Sequence, residues 1–344
     1  MSSATLKQNY FGTRSPAILA WGLVLAAVLV VVSALASISL GAADITPMDV
    51  WNALFNFNNE STNHLIIRTL RLPRSLIAMV VGASLAIAGA IMQGLTGNPL
   101  ASPSILGVSA GAAFAVVLSI FLFGINNPSL YAGFALAGGA LIATLVYIIA
   151  SLGSGGITPL NLTLAGTVFT TLVSTLTATV LIISQETLDQ VRFWLAGSLG
   201  SGDLIVLSRI IPYLAPGFLI AIALSKQLTT LTLGEAIAQG LGQNTAKVKI
   251  FGAISAVLLV GGSVAIAGPI GFIGLMIPHF VRFLVGVDYR WIIPYAACIG
   301  AILLLLADII ARLIIRPLEL PVGLVMPIFG TPFFIYLIRS RIKR

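Results

Sequence analysis

Three arginines in one short segment are the first residues of this sequence whose type and spacing could do chemistry. Arg68, Arg71 and Arg74 follow one another at intervals of three, just before a long apolar stretch. A guanidinium pairs with a carboxylate through two parallel hydrogen bonds, which a lysine cannot do. Two interpretations are open: the arginines anchor the chain at lipid headgroups, or Arg71 and Arg74 form a docking patch for an acidic partner. Pro73 fits the first turn of a helix, where its missing N–H costs nothing.

A second candidate is an acid and a base inside an apolar stretch near the C-terminus. Asp308 and Arg312 lie four residues apart, so on a helix they share one face and can neutralise each other. Arg312 lies close to the predicted outer surface, where it could join the docking patch. An acid inside a membrane can also mark a proton relay, but a single paired acid gives that idea little support.

The polar loop 226–249 has the pattern of two short helices. Thr232 and Glu235 are spaced as a capping box, in which each side chain satisfies a free backbone N–H at a helix start. Gly242 is typical of a helix end, and Asn244 could begin a second short helix. The sequence therefore predicts two helices at the membrane surface, either as interfacial helices or as a surface presented to a soluble protein.

Glycines and prolines interrupt the apolar sequence in three places, at 97–101, 153–159 and 268–279. The Asn98-Pro99 pair is either an ordinary turn or part of a constriction at the inner mouth of a pathway. The third interruption has several glycines and two prolines, and broken helices of this kind occur in membranes only inside protein or beside a cavity. We expect His279 to be a hydrogen-bonded core residue rather than a ligand.

Motifs for catalysis and metal binding are missing from the sequence. It has no G-x-x-x-x-G-K-[ST] motif for ATP, no nucleophile elbow and no cluster of carboxylates for Mg²⁺. One cysteine, Cys298, excludes an internal disulfide, and two histidines do not make a metal site without partners. We therefore predict no catalytic residue, no metal site and no cofactor bound by this chain.

The composition explains which elements must position these residues. Of the 344 residues, 58% are hydrophobic and only 8% are charged, against about 25% charged residues in soluble domains. This excludes a soluble enzyme, a nucleic-acid-binding module and a disordered chain. The sequence predicts an all-α polytopic membrane protein with about ten spans. The predicted spans are 16–40, 75–95, 105–124, 129–151, 160–184, 204–225, 248–268, 274–285 (short), 291–312 and 322–338.

Charge placement predicts the orientation of the spans. Basic residues concentrate on one side if the N-terminus is cytoplasmic, and most acids then fall outside, which agrees with the positive-inside rule. Ten spans place both termini in the cytoplasm. The first span contains a possible signal-peptide cleavage pattern at 34–36, but its length favours an uncleaved span. We divide the chain into a cytoplasmic tail (1–15), one membrane domain (16–338) and a basic cytoplasmic tail (339–344).

Two spans share a sequence repeat. Segments 81–89 and 260–268 read Val-Gly-Ala-Ser-Leu-Ala-Ile-Ala-Gly and Val-Gly-Gly-Ser-Val-Ala-Ile-Ala-Gly, with seven of nine positions identical. Small residues recur in any membrane helix, which is one explanation. The other is a duplication, and because the repeat falls in the second and seventh spans its two copies would be inverted in the membrane.

The motifs at these positions resemble the FecCD-type permeases of bacterial ABC importers, and the resemblance runs from Arg71 to Phe334. One departure is Gly97, where the family often has arginine. The matching segments are 71–74 (Arg-Leu-Pro-Arg), 98–101 (Asn-Pro-Leu-Ala), 194–198 (Trp-Leu-Ala-Gly-Ser), 233–235 (Leu-Gly-Glu) to 241–242, 271–282, 307–308 with Arg312, 319–323 (Glu-Leu-Pro-Val-Gly) and 330–334.

The resemblance implies a type II ABC importer architecture, with ten spans per subunit and a dimer of permeases. Two cytoplasmic ATPase subunits would bind ATP and Mg²⁺, and a periplasmic binding protein would deliver the substrate. It further implies roles for three groups of residues. These are docking of the binding protein by Arg71, Arg74 and Arg312; coupling to the ATPase by Gly234, Glu235, Ala236, Leu241 and Gly242; and a cytoplasmic gate or pathway at Asn98, Leu100 and Thr158.

We therefore expect a permease subunit in the bacterial inner membrane that translocates an iron(III)–siderophore complex. Its partners would be the ATPase subunits, the binding protein, a second permease chain in a homo- or heterodimer, and membrane lipid, without nucleic acid. Vitamin B12 and haem remain alternative substrates, because the shared motifs do not separate them. An ion-coupled transporter that uses Asp308 and a membrane-embedded enzyme are the alternatives from other functional classes.

Overall fold

A computed structural model describes residues 15–41, 45–125, 127–153, 158–200, 203–316 and 318–342. Over these ranges the chain is helical and contains no strand. Most of the predicted N-terminal tail and the last two residues of the C-terminal tail lie outside them. The helices are α1 (Pro16–Ser39), α2 (Pro47–Phe55), α3 (Thr62–Ile66), α4 (Leu72–Thr96), α5 (Val108–Phe123), α6 (Pro128–Leu152), α7 (Pro159–Ile183), α8 (Gln185–Leu195), α9 (Leu204–Ala223), α10 (Ser225–Leu231), α11 (Glu235–Gly240), α12 (Thr245–Ala267), α13 (Ile273–Val285), α14 (Tyr289–Leu313) and α15 (Val322–Ile342).

The apolar helices coincide with the ten predicted spans. Seven helical stretches within the described ranges are long and apolar enough to cross a membrane, and one of them runs unbroken from Thr62 to Thr96. Three more are apolar but shorter: α5, α13 and the first part of α15. The short eighth span is α13, with 13 residues. The prediction of an all-α polytopic membrane protein is confirmed.

The centre of the bundle is formed by α4, which packs against α12, α13 and α14. Small residues allow these helices to approach at backbone distance, as is common between membrane helices. Gly82 of α4 faces the backbone of Gly300 in α14, and Gly89 faces the backbone of Gly274 in α13. Most of the middle of α4 is therefore buried.

The two copies of the sequence repeat have corresponding surroundings. Both lie in the buried core, in α4 and α12, and these two helices contact each other. The second span, α4, packs on the ninth, α14, whereas the seventh, α12, packs on the fourth, α6. This pattern is expected if the first five spans and the last five are equivalent halves, so that the second span corresponds to the seventh and the fourth to the ninth. At equivalent repeat positions, Gly82 faces α14 at Gly300 and Gly261 faces α6 at Leu136.

Two interrupted connections enter the bundle from the ends of α4 and α12. The first begins at Gly97 (φ 63°) and ends at Gly107, where α5 starts, and the second runs from Gly268 to Phe272, where α13 starts. Both line one cavity, to which they contribute residues 102–104 and 269–272. Of the two surroundings expected for the interrupted segment 268–279, inside protein or beside a cavity, residues 269–272 have the second. Phe272 has φ 69°, a backbone conformation that a bulky side chain rarely adopts.

Helix α4 does not begin after a loop, because helical turns precede it directly. Pro73 lies in the first turn of α4, as predicted, but helix α3 and a π turn over Ile67–Arg71 precede it without a gap. The backbone N–H of Leu72 donates to the carbonyl of Ile67, five residues back. The wider turn lets the chain remain helical next to a proline that lacks an N–H.

Candidate functional site

At one end of the bundle, the side chain of Arg74 bridges two acids. Its Nε and Nη2 donate to the Asp308 carboxylate at 3.0 and 2.8 Å, and its Nη1 donates to Oε2 of Glu319 at 2.5 Å. Asp308 is fully buried, whereas the side chain of Glu319 is 39% exposed. Arg74 thus has one edge on a buried acid and another on an acid that solvent can reach. We call Arg74, Asp308, Arg312 and Glu319 the charge cluster.

Arg71 and Arg312 are buried and are bonded to the end of α1. Nη1 of Arg71 donates to the carbonyls of Ile38 and Ser39 at 2.8 and 2.7 Å. Nη1 of Arg312 donates to the carbonyls of Ser37 and Leu40 at 3.0 and 2.9 Å. The last carbonyls of a helix have no partner within it. The two arginines therefore satisfy four consecutive carbonyls at the C-terminus of α1. Their positive charge is also favourable there, because the C-terminus is the negative end of the helix dipole.

The predicted pairing of Asp308 with Arg312 is present, with Nε of Arg312 3.1 Å from Oδ2 of Asp308. The structure adds Arg74, so that two guanidiniums share one carboxylate. The three predicted docking arginines do lie at the same end of the bundle. Only Arg74 borders the exposed acid Glu319, whereas Arg71 and Arg312 are 6% and 3% exposed.

At the other end, the loop 226–249 contains two short helices, of which one was predicted: α11 (Glu235–Gly240) lies between Thr232 and Gly242 as expected, whereas α10 (Ser225–Leu231) was not predicted. The capping box is wrong: the hydroxyl of Thr232 donates to the carbonyl of Thr229, and α11 begins after Gly234, whose φ of 109° suits glycine. Asn244 caps the spanning helix α12 rather than a second short helix. The short helices are α10 and α11. The box fails because the carboxylate of Glu235 bonds elsewhere.

Glu235 ties α11 to the start of α12. Its Oε1 accepts hydrogen bonds from Nζ of Lys249 at 2.7 Å and from the hydroxyl of Thr245 at 3.1 Å. The Lys249 hydrogen bond is the main cause of a lowered pKa of Glu235, opposed by partial burial. The carboxylate is therefore held ionised, and the two helices are joined by charge. All five residues predicted to couple to a partner are exposed: Gly234, Glu235, Ala236, Leu241 and Gly242.

A cavity separates this loop from the end of α4. Its lining includes Gly97, Leu231, Glu235, Lys249 and Tyr147. The first predicted gate residues follow Gly97 in an exposed turn, in which Oδ1 of Asn98 accepts from the backbone N–H of Leu100 at 2.9 Å. Thr158 caps α7 by accepting from the backbone N–H of Asn161 at 3.1 Å. The predicted gate residues are thus turn and cap residues in this conformation.

Sequence reasoning missed a buried polar network near this cavity. Nη1 of Arg282 in α13 donates to Oε1 of Gln93 in α4 at 2.6 Å, and Nη2 donates to the hydroxyl of Tyr289 in α14 at 3.2 Å. The hydroxyl of Tyr289 donates to the carbonyl of Ala90 at 3.1 Å. The network fastens three helices of the core. Its one sequence signal is the presence of polar side chains in apolar helices. His279 is buried among these helices, as expected of a core residue.

The described residues contain no group of three or more His, Cys, Asp or Glu side chains that could hold a metal ion. What they do contain is a charge cluster at one end, an exposed short helix and cavity at the other, and two broken connections between them. Charged ends and broken connections of this kind are found in proteins that change conformation and bind partners.

Comparisons with known proteins agree with this arrangement. The model of the FecCD transport family matches residues 29–340. The iron(3+)-hydroxamate import system permease protein FhuB of Bacillus subtilis is 46% identical over 312 residues, covering 90% of this chain and 81% of FhuB. The ferric enterobactin transport system permease protein FepD of Escherichia coli is 39% identical, covering 92% of this chain and 94% of FepD.

A solved structure shares the fold as well as sequence. It is a metal-chelate type ABC transporter in an inward-facing conformation, with a TM-score of 0.80 and 32% identity, covering 94% of this chain and 99% of that one. The family match spans nearly all of the helices described above, including the charge cluster and the loop 226–249. The chain therefore belongs to the FecCD transport family.

Proposed function

We propose that this chain is the membrane-spanning permease subunit of an ABC importer that carries an iron(III)–siderophore complex across the bacterial inner membrane. The observation that carries the proposal is the 46% identity to an iron-hydroxamate permease over 90% of the chain. A siderophore supplies the ligands of its own iron, so the permease needs no metal site. ATP and Mg²⁺ would be bound by separate ATPase subunits, since the sequence lacks a P-loop motif.

The loop 226–249 would seat in the ATPase subunit. Leu233, Ile237 and Leu241 are 59%, 54% and 68% exposed; Ile237 lies in α11, and the two leucines flank its ends. Exposed apolar side chains around a short helix fit a hydrophobic groove on a partner. Because Glu235 joins α11 to Lys249 of α12, a displacement of α11 would move α12 and the cavity between α12 and the end of α4. The turn after Gly97 borders that cavity.

The charge cluster would face the periplasm and receive an acidic binding protein. The positive-inside bias of the charges supports an orientation with both termini in the cytoplasm. A second permease chain would complete the importer. The exposed apolar side of α7, at residues 160, 164, 168, 172 and 176, supports such a partner or lipid contact.

An ion-coupled transporter is disfavoured by the state of Asp308. Its carboxylate is buried between the guanidiniums of Arg74 and Arg312. A transported ion would have to displace a guanidinium from this fully buried carboxylate, and breaking a buried ion pair is costly.

The test is purification of the tagged chain in mild detergent, followed by identification of its partners and reconstitution in liposomes. We expect a stoichiometric P-loop ATPase and ATP-dependent uptake of ⁵⁵Fe–hydroxamate. Competition with excess haem or vitamin B12 should leave uptake unchanged. ATP-independent uptake that a protonophore abolishes would refute the importer. Uptake of haem or vitamin B12 in place of the iron–siderophore complex would refute the substrate class.

A further inference from the structure

The three arginines at the charged end of the bundle are not equivalent. Each hydrogen bond described for Arg71 goes to a carbonyl of α1, and Nη1 of Arg312 is also bonded to carbonyls of α1. Withdrawing either side chain would expose buried carbonyls without partners, which is costly. Arg71 and Arg312 are therefore positioning residues that hold α1, and of these three arginines Arg74, whose side chain is 11% exposed, is the one paired with an acid that solvent can reach.

Arg74 itself has one permanent and one exchangeable partner. The edge formed by Nε and Nη2 faces Asp308, whose side chain is fully buried. Nη1 faces Glu319, whose side chain is 39% exposed. Ion pairs with an exposed member are weak and exchange readily, whereas breaking a buried pair is costly. A carboxylate arriving from solution would compete with Glu319 and leave Asp308 in place.

We propose that Glu319 occupies, in the free permease, the position on Arg74 that a carboxylate of the docking protein takes. Docking then replaces an internal carboxylate with an external one. This inference rests on the proposed importer function and specifies how its docking surface works. The partner chemistry is an acidic protein surface that presents a carboxylate able to reach Nη1 of Arg74.

The exchange would act on the start of α15. Glu319 lies three residues before Val322, the first residue of that helix. We call the segment between α14 and α15 the connector. Two backbone hydrogen bonds also hold it and the start of α15: the N–H of Leu320 donates to the carbonyl of Ala311, and that of Gly323 donates to the carbonyl of Gly197. When Glu319 leaves Arg74, the connector keeps these backbone bonds but loses its ion pair. Docking thereby loosens the entry to one spanning helix without breaking the bundle.

The start of α15 also touches the connection between α8 and α9, which in turn touches the connection between α12 and α13. Gly323 packs against the backbone of Ala196 and Gly197, and Gly197 packs against the carbonyl of Pro269. A side chain on either glycine would collide with main-chain atoms, so the three segments are linked in series through Gly197. A displacement of Glu319 would consequently also displace the connections that lead to α9 and α13, as well as the start of α15.

The first experiment measures binding. The permease complex is placed in nanodiscs, and its binding protein is recovered by low-salt affinity capture, identified by mass spectrometry and purified. We expect Glu319→Gln to lower the Kd by about two- to five-fold, as expected for release of an exposed ion pair. The matched control Glu186→Gln removes an exposed carboxylate of α8 on the same predicted side and should leave the Kd near wild type. Equal Kd values for the two variants would overturn the exchange.

The second experiment follows the connector without relying on affinity. A spin label at Leu318→Cys, in a Cys298→Ala background, reports the mobility of a residue whose side chain is 71% exposed. In the otherwise wild-type protein, docking should increase the mobility of the connector and therefore narrow the lines of the spin-label spectrum. Glu319→Gln should narrow the lines in the absence of the partner, and docking should then cause no further narrowing. An unchanged wild-type spectrum on docking would overturn the proposal.

These outcomes separate the two levels of inference. If no binding protein binds the wild-type permease at low salt, the proposed importer function fails. If the wild type binds in a salt-sensitive manner but Glu319→Gln behaves like Glu186→Gln, the docking function stands and the exchange fails. Equal unfolding midpoints of wild type and Glu319→Gln verify that the variant is folded.

Discussion

A methyl group placed on Gly89 should separate α4 from α13. An ideal Cβ there would overlap the carbonyl oxygen, carbonyl carbon and Cα of Gly274. These are main-chain atoms, which cannot rotate aside as a flexible side chain could. Gly133 in α6 provides the matched control, because a Cβ at that position meets nothing within 4 Å.

The expected magnitude follows from two opposing effects. Replacing a helical glycine with alanine stabilises a helix by roughly 0.5–1 kcal/mol. Overpacking of a dense core costs typically about 1–3 kcal/mol, and more when backbones must move. Gly133→Ala should therefore be neutral or slightly stabilising, and Gly89→Ala should lower the free energy of unfolding. The difference between the variants isolates the steric cost, which we expect near the upper end, at about 3 kcal/mol.

The assay is reversible unfolding in mixed micelles with increasing sodium dodecyl sulfate, followed by tryptophan fluorescence. Iron–siderophore uptake in liposomes is measured in parallel, because α13 carries Arg282 of the polar network and borders the cavity between the two interrupted connections. We expect both stability and uptake to fall in Gly89→Ala alone. The close approach of α4 and α13 is refuted if Gly89→Ala unfolds at the same or higher detergent fraction than Gly133→Ala.

Three further predictions concern charges. Asp308→Asn should lower the free energy of unfolding by about 3–5 kcal/mol in the same assay, because it leaves two buried guanidiniums without their shared carboxylate; a neutral effect would contradict the charge cluster. Arg71→Leu should free the end of α1, so that a maleimide labels Leu40→Cys faster than in the parent, and equal rates would exclude the cap. The Lys249 hydrogen bond lowers the pKa of Glu235, so its stabilising contribution is complete above the unfolded value of 4.5 and is lost as pH falls through the lower folded value. Amide exchange in α11, corrected for intrinsic rate, should be constant from neutral pH to about pH 5 and accelerate below it, and the pH step should be absent in Glu235→Gln.

The spans were predictable because length and apolar composition suffice to identify a membrane helix. All ten predicted segments coincide with apolar helices. The short helices α2, α3, α8 and α10 were not predicted, since their mixed composition has no comparable signal. The loop 226–249 shows why local motifs fail: Thr232 and Glu235 have the spacing of a capping box, but a lysine on the next spanning helix competes for the carboxylate.

The charge cluster was predictable only where its contacts are local in sequence. Asp308 and Arg312 are four residues apart, so the helical repeat alone brings them together. Arg74 reaches Asp308 across 234 residues of sequence, and only the packing of α4 on α14 creates that contact. The partners of Arg71 are backbone carbonyls, which every residue has, so no sequence pattern marks them. Burial of two of the three arginines was therefore beyond sequence reasoning.

The capping of α1 imposes an order on biogenesis. Arg312 follows its partner Ser37 by 275 residues, so at a synthesis rate of about 5–20 residues per second it emerges roughly 14–55 s later. During that interval α1 is in the membrane with half of its terminal carbonyls awaiting their donor, and water or the insertion machinery must supply the missing hydrogen bonds. α1, which precedes the other described spans in the chain, thus gains its full cap only when α14 enters the bundle. A chain truncated before α14 would leave α1 held by Arg71 and not by Arg312.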